Sequence, residues 1–434
     1  MAFAALLILA LSSAVVSWRL SCLPGGEGLC SLDFYVFWTE SVALRNGLSP
    51  DMYSPGEATR LGAYFSDLAA STGDSRMLQA AALFPTLQPV STPLLFSAFS
   101  LWIGSSFGHD AAAFFGASVC CYLAALWYLT RIHGVALLPA AAVSVAAFFP
   151  LSQVSVDLQA GNVNGIQLAL FCTVVAAARA PRSWKSSVLL GALLTVATLF
   201  KPNLATVPAL YMLHLTRQRR MGEALHVVAG GLAASIIAAL FVSATWPQAT
   251  PWAAWVDAMR TFLLSPRPAS HSNSSLASLV GDAVGHSNAT ATLLPLLLLC
   301  LGALAVLRMP TQPIRLAANQ VSLRHVDTLV LYAGVAAGVV CSKPMWTHYL
   351  ALLVPCALEA TFPLVDSRLG SPAVRWLGVI LTLAVPVISL PFLGAAVGFP
   401  LSTAAVAWSH AMYAVFAYGL VLVGLSGAAT LGAR

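Results

Sequence analysis

Apolar residues run along this chain in blocks of roughly 15–25, the length a helix needs to cross a hydrocarbon layer, with short polar stretches between them. The pattern predicts transmembrane helices over about 2–18, 111–130, 135–150, 163–179, 186–200, 203–215, 225–244, 291–307, 327–342, 347–363, 376–396 and 403–427. Residues 78–104, LQAAALFPTLQPVSTPLLFSAFSLWIG, are also long enough to cross. Pro85, Pro89 and Pro93 break their first half, each removing a backbone donor and a helical hydrogen bond. This segment is therefore read as interfacial or re-entrant helices on the outer face. The result is about 12 spans with both termini inside.

Composition changes little in that picture and excludes its competitors. The 434 residues are 59% hydrophobic and only 8% charged, too few charges to cover a soluble domain of this size. A net charge of +6 would suit a nucleic-acid partner, but there is no basic stripe. The arginines instead cluster between apolar blocks, as in cytoplasmic loops: Arg179, Arg182 and Lys185; Arg217, Arg219 and Arg220; Arg308, Arg315 and Arg324; Arg368 and Arg375. Placing all four clusters in the cytoplasm orients the chain, 1–434, as a single all-α polytopic membrane domain. Its large outer loops are then 19–110 and 245–290. The N-terminal MAFAALLILALSSAVVSW lacks a basic leader and a small-x-small cleavage site, and is read as a retained first span.

With the chain oriented, the polar motifs gather outside. Asp33 follows the first span inside an aromatic run with Phe34, Tyr35, Phe37 and Trp38. DLQAGNVNG, 157–165, opens the fourth span, and FKPN, 200–203, turns between the fifth and sixth. HSNSSL, 271–276, lies in the second large loop, and SKPMWTHY, 342–349, joins the ninth and tenth spans. Lys201 and Lys343, each followed by proline, are lysines on the face where lysine is scarce. A carboxylate and several cations at a membrane boundary suit group transfer from a lipid phosphate. The acid takes a proton from an acceptor hydroxyl while lysine, with histidine, stabilises the charge growing on the departing phosphate. The aromatic rings can stack on sugar or sit in the headgroup layer. Cys22 and Cys30 flank LPGGEGL in the same outer loop, where a disulfide is open to them.

Plainer readings stay open for each residue. An acid beside a span is ordinarily solvated, a histidine near a helix start is ordinarily a hydrogen-bonded end residue, and Lys201 can snorkel to the interface. GNVNG can simply cap a helix. No His, Cys and carboxylate grouping has metal spacing in the sequence, and no Gly-rich phosphate loop is present, so no cofactor is expected.

Taken in order, these motifs resemble glycosyltransferase family 87, the polyprenol-phosphate-mannose-dependent mannosyltransferases of the GT-C fold. DFYVF, 33–37, is similar to its D-F-x-V-Y/F element. GNVN, 161–164, is similar to its G-Q-x-N, with asparagine for glutamine. Lys201-Pro202 corresponds to its Lys-Pro turn, NSSL, 273–276, to its N-Q-S-L, and SKPMWTHY to its S-x-x-S-W-x-H-x, with Met345 for the second serine. The resemblance implies a GT-C-type fold with outer-face interfacial helices, and Asp33 as the base activating an acceptor hydroxyl. It places His348 by the donor phosphate or the acceptor and Lys201 on phosphate, with Lys343 as a possible second phosphate contact outside the pattern. Tyr35, Trp38, Asn162, Asn164, Asn203, Asn273 and Trp346 are expected to line the sugar or acceptor. The implied reaction moves a hexose, expected to be mannose, from a polyprenyl-phosphate sugar to a lipid or glycan acceptor, with inversion and no obligatory metal. The setting expected is the extracytoplasmic face of a bacterial inner membrane, among membrane lipids. The substitutions at Asn162, Ser274 and Met345 leave donor and acceptor identity open.

Two rivals remain beside a third, a structural subunit of an envelope assembly in which Asp33 and His348 would be replaceable. One is a related transferase for another lipid-linked sugar, glucose or arabinose. The other is a transporter or flippase, although ion coupling ordinarily needs ionisable groups near the midplane, and Glu359, the deepest here, lies toward the cytoplasmic end of its span.

Overall fold

The computed structural model of the chain describes residues 2–22, 30–49, 51–87, 90–104, 106–134, 137–148, 152–246, 250–265, 273–284, 288–308, 321–343, 345–358 and 403–431. Among these residues the architecture is all helical, with no strand and one isolated β-bridge, between Asn273 and Trp346. Helix α1, Ala2–Ser21, precedes a set of outer-loop helices: α2 Leu32–Arg45, α3 Pro55–Thr72, α4 Ser75–Leu83 and α5 Pro93–Ser100. The bundle follows as α6 Phe107–Ile132, α7 Leu137–Ala147, α8 Gln153–Ala160, α9 Asn164–Arg179, α10 Trp184–Phe200, α11 Thr206–Arg217 and α12 Met221–Thr245. Then come α13 Pro251–Leu264, α14 Leu276–Val284, α15 Asn288–Leu307, α16 Val321–Cys341, a 3-10 helix Thr347–Leu353, and α17 Thr403–Leu431.

Among the described residues four helices are long and apolar enough to cross a membrane: Ala2–Leu20, Phe107–Ile132, Met221–Thr245 and Arg324–Cys341. Shorter apolar helices account for other expected spans. The expected spans at 135–150, 163–179, 186–200 and 203–215 are helices of 11, 16, 17 and 12 residues. Polar punctuation sets the ends of α10: Lys201-Pro202 separates it from α11, and the Ser183–Ser186 capping box fixes where it starts. The expected span at 376–396 and Glu359 lie outside the described residues. Segment 78–104 forms no single long helix. It holds α4 and α5, with α5 begun by Thr92 as N-cap, accepting from Leu95 N–H, and by Pro93 in the first turn, where a missing N–H costs nothing.

Among the described residues two large apolar cores result, beside a small cluster of Leu279, Ala407 and Ala411. The larger joins α1, α6–α12, α15–α17 and the 3-10 helix. The smaller lies under α2–α5 and is rich in aromatic rings: Phe34 stacks on Phe114 at 4.8 Å, and Trp38 meets Phe107 edge-on at 5.5 Å. Helices α10 and α12 lie backbone against backbone through Gly191 and Gly230, where any Cβ would strike the facing carbonyl of Val227 or Val188. Cys22 and Cys30 are joined by a disulfide between α1 and α2.

The helices separate two polar regions. Helix α9 starts at Asn164 and ends at Arg179, a rise of about 24 Å at 1.5 Å per residue. Helix α10 returns from Trp184 to Phe200, immediately before Lys201. At the arginine end, Asp327 of α16 accepts from Arg220 Nη1 (2.7 Å), lies 2.9 Å from His214 Nε2, and accepts from Arg182 Nη2 (3.3 Å). Arg179 also reaches Thr328. Basic clusters from separate loops therefore meet at one end of the bundle, and the polar motifs meet at the other.

Candidate active site

Asp33 owes its position to a tight meeting of two helix ends. Ser31, ahead of α2, donates its backbone N–H to the Gln159 carbonyl near the end of α8 (2.7 Å). Gly161, which ends α8 at φ +70°, sits so close to α2 that a Cβ would lie 2.7 Å from Phe34 Cβ. Only glycine meets both demands without cost. Asp33, in the first turn of α2, thereby lies beside Asn162, the residue after that glycine, and a carboxylate suits the electropositive N-terminus of a helix.

Asn162 is the hub. Its Nδ2 donates to Asp33 Oδ2 (2.7 Å) and lies 3.0 Å from His348 Nε2, which accepts in the tautomer protonated on Nδ1. Its Oδ1 accepts from Lys201 Nζ (2.7 Å). Asp33 Oδ2 and His348 Nε2 are 3.7 Å apart. A second asparagine repeats the arrangement: Asn164 Oδ1 accepts from Lys201 (3.1 Å), while its Nδ2 donates to Asp157 Oδ1 (2.7 Å) and to the His348 carbonyl (3.2 Å). The other Asp157 oxygen accepts from Tyr122 OH (2.7 Å). Lys201 Nζ also lies 4.5 Å from the centroid of the Tyr349 ring, a cation–π contact.

Exposure divides the cluster. The Asp33 side chain keeps 29% of its surface, whereas Lys201, Asn162 and His348 are buried and Asp157 is fully so. Burial lowers the Lys201 ammonium and raises the Asp157 carboxyl, and each charge opposes the other's shift. The arrangement offers one accessible carboxylate backed by a cation, an imidazole and oriented amides. That set can take a proton from a hydroxyl and stabilise an anion beside it.

The structure therefore brings Asp33, His348, Lys201, Asn162 and Asn164 together from four separate parts of the chain. Asn203 lies one step away: its Oδ1 accepts from Gln167, whose amide also donates to the Lys201 carbonyl (3.3 Å). Trp346 is half-buried at the start of the 3-10 helix, its backbone bridged to Asn273. The other expected contacts lie elsewhere. Tyr35 and Trp38, expected at the sugar, are buried in the aromatic core, Trp38 donating to Asp110 Oδ2 (2.9 Å). Burial pushes the Tyr35 hydroxyl up to about 12. Asn273 is buried and organises its own loop, donating to Ser278 Oγ (3.0 Å) and accepting from Ser275 N–H (3.3 Å). Lys343 donates to the Leu263 carbonyl at the end of α13 (3.0 Å).

Asp157, Tyr122, Gln167 and Tyr349 were not singled out from the sequence. Asp157 left a signal: it is an acid four residues before Gly161 in an otherwise apolar chain, and its own carbonyl accepts from the N–H groups of Gly161 and Asn162. Tyr122 left none, because a tyrosine inside an apolar helix reads as packing. Among the described residues, no group of three or more His, Cys, Asp or Glu side chains could hold a metal ion.

No curated protein and no solved structure matches the chain. A family model does match, over residues 87–333, a stretch that holds Asp157, GNVN, Lys201-Pro202 and NSSL. Asp33 and His348 lie outside that stretch and are joined to it by folding. More than half of the chain fits this one description, and the chain belongs to glycosyltransferase family 87.

Proposed function

We propose that the protein transfers a hexose, mannose being the expected one, from a polyprenyl-phosphate sugar to an acceptor hydroxyl with inversion. The reaction is assigned to the extracytoplasmic face of a bacterial inner membrane. The observation that carries the reading is the shared hub: Asp33, His348 and Lys201 all meet the side chain of Asn162. Asp33, the exposed member, takes the proton of the acceptor hydroxyl. The acceptor oxygen forms its bond to the anomeric carbon on the side opposite the phosphate, and the bond from that carbon to the phosphate oxygen breaks. The lipid phosphate leaves with the electron pair, and Lys201 stabilises its charge. Lys201 supplies the cation of this scheme, which takes no metal or other cofactor. The helix ends support the assignment of face, since the arginine-rich end of the bundle is opposite.

The test is incubation of purified protein with polyprenyl-phosphate mannose, glucose and arabinose, together with envelope lipid and glycan acceptors. Release of free lipid phosphate with mannose, and formation of a product of inverted anomeric configuration, is the expected result. Release with glucose or arabinose alone would replace the donor. No release with any donor, with movement of lipid between leaflets instead, would favour the flippase reading.

A further inference from the structure

Asp157 touches neither the exposed edge of the site nor any group that meets substrate in the reaction above. It is nonetheless a fully buried carboxyl whose two oxygens are both engaged, one by Tyr122 OH and one by Asn164 Nδ2. The Asn164 NH2 on one oxygen and the Tyr122 hydroxyl on the other suit an ionised carboxylate that accepts from both; a protonated acid would turn the Tyr122 hydroxyl into the acceptor. The Asn164 amide reads the same way. Its Oδ1 faces the Lys201 ammonium, so its NH2 must face Asp157 and the His348 carbonyl. Lys201 and Asp157 are thus linked through one buried amide.

The relay has a twin. Asn162 links the same ammonium to Asp33 in the same sense, oxygen to lysine and nitrogen to carboxylate. Lys201 stands between two carboxylates of different character. Asp33 is partly exposed and, in the transfer reading, gains a proton during the reaction; Asp157 is sealed off. When Asp33 becomes neutral, the charge that opposes loss of the lysine's proton falls to Asp157 alone.

We propose that Asp157, clamped by Tyr122, is a positioning residue that keeps Lys201 protonated and aimed at the hub through Asn164 while Asp33 changes its charge. The role rests on the transfer reading for the change of charge at Asp33 and for the identity of the anion that Lys201 meets. The ionisable groups facing Lys201 are Asp33 from α2, Asp157 from α8, and His348 and Tyr349 from the 3-10 helix, with Tyr122 of α6 behind Asp157. Burial works against the lysine's charge, and both carboxylates work for it.

The chain has three lysines, Lys185, Lys201 and Lys343, which makes the charge of Lys201 directly readable. Protein carrying carbon-13 at the lysine ε position, assigned with K185R and K343R, is titrated by NMR in its full-length, detergent-purified form. Asp157→Asn keeps the size of the side chain and removes the charge. The expected result is a Lys201 midpoint lowered by about one pH unit, with a smaller shift in the same direction in Tyr122→Phe. The basic limb of the kcat profile moves to lower pH with it, while donor KM at acidic pH changes little. An unchanged or raised Lys201 midpoint in both variants overturns the proposal, whatever happens to thermal stability. Should Asp157→Asn fail to fold, Tyr122→Phe decides alone. The titration needs no substrate, so a parent protein that releases no lipid phosphate refutes the transfer reading without touching this result.

Discussion

The Asn162 amide nitrogen lies 2.7 Å from an oxygen of Asp33, a contact between residues 129 positions apart in sequence. With its oxygen on Lys201 and the same nitrogen 3.0 Å from His348, this short side chain fixes three chemically active groups at once. Asn162→Ala removes all three contacts, and a misplacement of about 1 Å at a reacting group costs on the order of 10²-fold in rate. A loss of that size in lipid phosphate release per folded molecule is expected, with a lowered melting temperature because the buried Lys201 ammonium loses a partner.

Asp33→Asn keeps the shape of the side chain and removes the proton acceptor. General base catalysis contributes roughly 10²–10⁴-fold, so kcat should fall within that range while donor binding persists. Substrate turnover by the variant in purified form decides the matter, and activity near the parent's would remove Asp33 as the base.

Gly161→Ala meets two obstacles, a φ of +70° and Phe34 Cβ at 2.7 Å from the new methyl. The left-handed conformation alone costs a non-glycine residue about 1–2 kcal/mol. The backbone must also shift between Ser31 and Asn162. Reduced stability and reduced activity together are the expected outcome, and Gly161→Ser should behave alike. Thermal unfolding and turnover measured on the same preparation test this.

Asp327 anchors the opposite end of the bundle, with Arg220, His214 and Arg182 converging on one buried carboxylate. Removing one member of such a buried network leaves uncompensated charge and costs roughly 3–5 kcal/mol. Asp327→Ala should therefore lower the melting temperature strongly. Turnover per folded molecule should stay near the parent value, because the helices hold this cluster away from the Asp33 end.

Glu40 lies on α2, fully buried, and neither carboxylate oxygen has a hydrogen-bond partner among the described residues. Burial raises its carboxyl well above the ordinary range. The native state then holds a proton that the unfolded chain has released, so stability falls as pH rises from the ordinary carboxyl range toward the raised native value. Glu40→Gln removes that slope. Its melting temperature should exceed the parent's at pH 8 and approach it near pH 4, and parallel melting curves across this range would contradict the assignment.

What the sequence determined by itself was periodicity, charge distribution and motif order. Long apolar blocks can only be helices where backbone groups must satisfy one another, and arginines between the blocks mark one end of the bundle. Those signals are local, so the helical class, the basic end and the convergence of DFYVF, GNVN, Lys201-Pro202 and WTH were legible in residue order. Helix ends were less so, because where a helix stops depends on caps and packing: α10 starts at Trp184 behind its capping box, and α11 runs Thr206–Arg217 against an expected 203–215. Tertiary structure alone decided which polar residues face one another. Tyr35 and Trp38 flank the acid in sequence, yet on a helix adjacent residues point in different directions, and their sides of α2 met the aromatic core. Asp157 and Tyr122 became part of the site for the converse reason. A carboxyl buried among helices takes its partners from whatever the packing brings within about 3 Å, and no spacing along the chain records that.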